Sequence, residues 1–115
     1  MANFKEKCMY ARQVSMDLKP NSQTDFTHKL ESEIIPLLRK QAGFMDEITF
    51  VEPGGKRAFA VSLWDSKQNA EAYSQASYTK VTEMLSKLIQ GTPQVKTFDV
   101  VHSTSHKIGA KQKAA

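Results

Sequence analysis

The stretch Arg57-Ala-Phe-Ala-Val-Ser-Leu-Trp64-Asp-Ser66 alternates small and bulky residues, ends on a tryptophan and passes straight into helix-capping residues. Alternate side chains of a strand point to opposite faces, so Phe59, Val61 and Leu63 share one side and Ala58, Ala60, Ser62 and Trp64 the other. Neither side has the composition of a solvated face. Asp65 offers an N-cap acceptor to the helix that follows, and Gln68 falls three residues on, where a capping box takes its partner.

Upstream, Phe44 to Glu52 reads as a strand, and Pro53-Gly54-Gly55-Lys56 is a tight connection that makes the two a hairpin. Earlier still, Cys8 to Leu18 is a first strand, with Cys8, Tyr10, Val14, Met16 and Leu18 on one side interrupted by Arg12. Asn21 or Ser22 caps a helix in which Phe26, Leu30, Ile34 and Leu37 or Leu38 recur at three- and four-residue steps. Pro36 lies inside it and deprives the Ser32 carbonyl of its donor, which predicts a kinked or tightened last turn before Gly43. Downstream, Ser66 to Gln90 is helical, with Ala70, Tyr73, Ser77, Val81, Leu85 and Leu88 on one stripe and a break near Ser77. Gly91 and Pro93 stop it, and Val95 to Thr104 is the last strand.

The order β-α-β-β-α-β predicts an α+β, ferredoxin-like domain: a four-stranded antiparallel sheet with helices on one face. The other face is expected to carry Met45, Val51, Ala58, Ala60 and Trp64, too apolar for water, so a second copy packed sheet to sheet predicts a homodimer. The chain of 115 residues is one domain over residues 8–105, preceded by a polar segment, 1–7, and followed by a flexible basic tail, 106–115. Three lysines of that tail, Lys107, Lys111 and Lys113, account for most of the formal net charge of +4. No basic face interleaved with aromatics argues for a nucleic-acid partner. Cys8 is the lone cysteine, which excludes an internal disulfide and fits a reducing cytoplasm. No run approaches the ~20 apolar residues of a membrane span, and Met1 to Lys7 lacks the apolar core of a secretory signal.

Ile35-Pro36-Leu37-Leu38-Arg39, Gln41-Ala42-Gly43-Phe44 and Ser62-Leu63-Trp64-Asp65-Ser66, with Ala70, Ala72 and Tyr73 behind them, resemble the antibiotic biosynthesis monooxygenase family of the dimeric α+β barrel superfamily. The resemblance runs from about Met9 to Ser103. It implies a cofactor-independent monooxygenase that oxidises a small electron-rich aromatic, a hydroquinone or phenol, with dioxygen, in a cavity between sheet and helices. It also admits a non-enzymatic dimeric domain of the same fold that binds a ligand or serves in stress or regulation. Trp64 matches the family's cavity tryptophan, whereas Ala60 stands where an asparagine is often found. The haem-degrading branch offers no support: its asparagine, tryptophan and axial histidine fall near Arg12, on Tyr73 and near Glu83.

Arg12, a cation in a half-apolar strand, either holds a ligand's phenolate or carboxylate or forms a salt bridge to Asp99 or Glu47. His102, on the strand side of Phe98 and Val100, is the general-base candidate, or else a structural histidine. Trp64 and Tyr73, with Phe26, Phe50, Phe59 and Tyr78, are numerous enough to line a cavity, the alternative being a core role; Trp64, Tyr73, Phe26 and Phe59 are the candidates to hold an aromatic ring. His28 reads as solvent-facing and His106 belongs to the tail. No pair of histidines has metal-ligand spacing, and no Gly-rich phosphate loop is present, so neither a metal nor another cofactor is expected.

Overall fold

A computed structural model describes residues 9–105. The 1–7 segment, Cys8 and the 106–115 tail with His106 lie outside the described residues. Strand β1 (Tyr10–Leu18) leads to helix α1 (Gln23–Lys29), a π-helical turn (Leu30–Ile34) and helix α2 (Ile35–Arg39). The hairpin of β2 (Phe44–Val51) and β3 (Arg57–Trp64) follows, then α3 (Lys67–Ala76), α4 (Tyr78–Leu85) and β4 (Ile89–Asp99). The sheet order is β2-β3-β1-β4, antiparallel throughout, which is the expected ferredoxin-like arrangement.

Register decides which residues meet the helices. Tyr10, Arg12, Val14 and Met16 of β1 pair with Trp64, Ser62, Ala60 and Ala58 of β3, and Ser62, Ala60 and Ala58 pair with Glu47, Thr49 and Val51 of β2. These rows face the helices, and their core includes Met16, Leu18, Phe26, Leu38, Trp64 and Tyr73. The outer sheet face is therefore not the predicted set: Ala58 and Trp64 are wholly buried in the core beneath the helices, and Val51 and Ala60 pack against that core, because pairing with β1 turns this side of β3 inward. The outer face carries Phe59, Val61 and Leu63, opposite Phe50, Ile48 and Asp46. Ile48 is 51%, Phe50 53% and Phe98 47% exposed, so the outer face is apolar all the same, through other residues.

Four local details differ from expectation. Pro36 does not tighten its helix but widens the turn before it: the Ile35 amide donates to the Leu30 carbonyl, five residues back. Ser66, one residue beyond Asp65, caps α3 by accepting from the Asn69 amide at 3.1 Å, while Asp65 Oδ1 accepts from Asn69 Nδ2 at 2.8 Å. The helix predicted to reach Gln90 breaks at Ser77 as expected but ends at Leu85, because Ile89 and Gln90 already pair with Leu18 and Asp17. Gly91 and Pro93 therefore lie within β4, in a bulge where Ser15 pairs with Gln94 and Asp17 with Gln90; an edge strand tolerates both there. Among the described residues no helix is long and apolar enough to cross a membrane.

Candidate functional site

The central strand floors a cavity with small side chains. Ala60 and Ser62 leave a gap between larger neighbours in their rows, and α1, the π-helical turn and α2 close over it with Phe26, Leu30, Ile34 and Leu38. In a regular α-helix a four-residue spacing drifts around the axis by roughly 40° per step. The wider π-helical turn absorbs part of that drift, so all four residues reach one side. Tyr73, Tyr78 and Val81 close the cavity from α3 and α4, and Pro93 reaches it from the β4 bulge. The volume is about 50 Å³, room for a few waters, so an aromatic ring is admitted only if lining side chains move.

The polar groups form one row across the sheet. Thr97, Arg12, Ser62 and Glu47 are register neighbours on β4, β1, β3 and β2. Arg12 is only 4% exposed. Its guanidinium carbon lies 5.1 Å from the Tyr73 ring centre and 4.6 Å from that of Tyr78, a cation held between two π faces. Among the described residues no carboxylate comes within 4.0 Å of it, so neither Asp99 nor Glu47 forms the salt bridge that the sequence left open.

Burial pushes the Tyr73 hydroxyl up to about 12, against the opposing pull of the Arg12 charge, and raises Tyr78 for the same reason. Both phenols stay protonated at neutral pH. Glu47, which also lines the cavity, is raised above the ordinary 4.5 by burial, partly offset by the Thr49 hydroxyl that donates to its Oε2.

Of the residues singled out from sequence, Arg12, Tyr73 and Phe26 line this cavity. Trp64 stands one layer behind, wholly buried, stacked on Tyr73 at 5.0 Å, with its Nε1 donating to Ser62 Oγ at 2.9 Å. Phe59 lies on the outer sheet face, because its neighbours in sequence, Ala58 and Ala60, occupy the inner one. His102 is exposed beyond the end of β4, which stops at Asp99, and is not among the cavity residues. Glu47 and Ser62 join the site without having been singled out for it, and Tyr78, one of the aromatics expected to line a cavity or fill the core, lines it. Counting pairs outward from the Pro53–Lys56 turn places Glu47 opposite Ser62, so that signal was present in the hairpin.

No protein-family model matches the sequence, and no curated protein does. Solved structures do resemble the fold. A monooxygenase from Streptomyces coelicolor in complex with nanaomycin D superposes with a TM-score of 0.72 at 17% identity, covering 84% of this chain and 91% of that one. A Bordetella bronchiseptica protein named as an antibiotic biosynthesis monooxygenase gives 0.70 at 17% identity, covering 83% and 99%. A Nitrosomonas europaea protein of unknown function gives 0.71 at 13% identity, covering 86% and 95%. The chain thus has the fold of structures named antibiotic biosynthesis monooxygenases, and proteins of unknown function share it.

Proposed function

We propose, from that shared fold and this cavity, that the protein binds a small aromatic bearing an ionisable hydroxyl and oxidises it with dioxygen without a bound cofactor. The observation that carries the reading is Arg12: a buried cation with no carboxylate within reach among the described residues, lining a cavity walled by two tyrosine rings. A guanidinium kept from water this way favours an anion, and a phenolate supplies both the charge and a ring to lie against Tyr73 and Tyr78. The ionised ring is also the form that reduces oxygen. A ring methylene can give four electrons to O2, one oxygen atom becoming the new carbonyl and the other leaving as water with the two methylene hydrogens. Tyr73 and Tyr78, kept protonated by burial, steady the oxyanion as it forms.

A second reading is favoured by the size of the cavity: at about 50 Å³ it falls well below the ~300–1,000 Å³ of ordinary ligand sites. On that reading the protein is a non-enzymatic dimeric domain that takes up a phenolic ligand. In both, a second copy covers the apolar outer face of β2 and β3. The test uses the single tryptophan, stacked on cavity-lining Tyr73. Titrating Trp64 fluorescence with hydroquinones and anthrone-type phenols while an electrode follows oxygen should give saturable quenching with stoichiometric uptake. Quenching without uptake selects the second reading.

A further inference from the structure

Oxidation of a phenol through its anion needs a group to take the hydroxyl proton, and His102 is not at the cavity. We propose that Glu47 is that proton acceptor, placed on the opposite side of the cavity floor from Arg12 so that one residue takes the proton and the other holds the oxyanion left behind. This rests on the reading of the cavity as a phenol site. The O–H bond of the ligand breaks, the proton passes to a carboxylate oxygen of Glu47, and the electron pair stays on the ligand oxygen facing the Arg12 guanidinium. The net charge of the cavity and its ligand is unchanged by the step, which suits a site from which water is largely excluded.

Three observations converge on this residue. First, Glu47 and Arg12 flank Ser62 in the same row, two strands apart, and both line the cavity. At about 4.8 Å between neighbouring strands, a ring set over Ser62 reaches both. Second, the other polar side chains of the lining cannot take the proton near neutrality. Arg12 is permanently charged, Tyr73 and Tyr78 keep their own protons, and Ser62 and Thr82 are hydroxyls. The first helical layer contributes only Phe26, Leu30, Ile34 and Leu38. Third, the Thr49 hydroxyl donates to Oε2, and no hydrogen bond among the described residues engages Oε1. That leaves one carboxylate oxygen oriented and the other open. Burial, with Asp46 beside it, makes the carboxylate a stronger base than an exposed glutamate, in the direction that proton abstraction requires.

The test reads the proton itself, independently of turnover, with 4-nitrophenol as probe in weakly buffered, mildly acidic solution containing a pH indicator. The wild type should bind the dye as its yellow phenolate and release almost no proton, because Glu47 keeps it. Glu47→Gln should still bind the phenolate at Arg12 but release about one proton per dye bound. Glu52→Gln, at an exposed glutamate of the same hairpin outside the cavity lining, should behave as the wild type. Phenolate binding with equal proton release from wild type and Glu47→Gln overturns the assignment of Glu47 alone. Failure of every variant to bind the dye overturns the phenol-site reading and this proposal with it.

Discussion

Arg12 shows how one side chain separates stability from function. A buried charge with no counter-ion among the described residues costs the fold about as much as its ring contacts return. Arg12→Met should therefore leave unfolding free energy within about 1 kcal/mol of wild type by urea denaturation. Its affinity for phenolates should fall about tenfold or more, since a charge-assisted bond contributes roughly 1.5–3 kcal/mol; fluorescence titration measures the loss. Tyr73 sets a pH limit. The unfolded chain releases this proton near 10.0 and the folded protein near about 12. The folded state therefore holds the extra proton between those values, and its relative stability falls as pH rises through that window. Two units correspond to about 3 kcal/mol. Tyr73→Phe should remove that much of the alkaline loss, measured as the difference between wild-type and variant melting across the window. At this scale the sequence was legible where chemistry was conspicuous: a cation in a half-apolar strand stood out as Arg12. Glu47 did not, since a glutamate in a mixed strand looks like any solvated carboxylate until the hairpin register is counted.

The elements explain both the legible and the hidden parts of the fold. Alternation along β3 and the four-residue spacing of Phe26, Leu30, Ile34 and Leu38 were readable because burial imposes period on sequence. What escaped were the accommodations that period alone does not encode. The π-helical turn before Pro36 and the β4 bulge at Gly91 and Pro93 arise because a residue without an amide hydrogen, or one with φ of +70°, is placed where the pairing already deviates. Which face of β3 met the helices was likewise invisible within the strand, being fixed by pairing with β1. Gly43 is the junction where such constraints meet. Its φ is +81°, its carbonyl accepts from the Asp65 amide at 2.9 Å, and a Cβ there would run into the Asp65 and Asn69 side chains. Gly43→Ala should cost more than about 1 kcal/mol, from backbone strain alone, before the collision is added. A lower urea midpoint with an unchanged slope would show it, and an unchanged midpoint would mean that the α2–β2 connection relaxes freely.

For the whole molecule, the question is what lies against the outer sheet face. Polar residues occupy its β1 half, including Gln13, Ser15 and the Asp17 that pairs with Arg57 at 3.2 Å, while Ile48, Phe50, Phe59, Val61 and Leu63 form a continuous apolar half on the hairpin. A two-fold contact through that half brings like surface to like surface. Val61→Glu, at its centre, should turn a dimer into a monomer in light scattering coupled to gel filtration, while 4-nitrophenol binding in the cavity on the other side persists. A wild-type protein that is monomeric at micromolar concentration would rule out the sheet-to-sheet dimer. The strand that carries Val61 has a stricter consequence for the gene. Between Ala58 and Trp64, adjacent codons serve opposite sides of the sheet, one set leaving space inside and the next filling space outside. Loss or gain of a single codon there would exchange the two sets, swinging Phe59, Val61 and Leu63 into the cavity and sending alanine and serine outward. The segment should accept substitutions more readily than any change in its length, a difference that a library of point and single-codon deletion variants would expose directly.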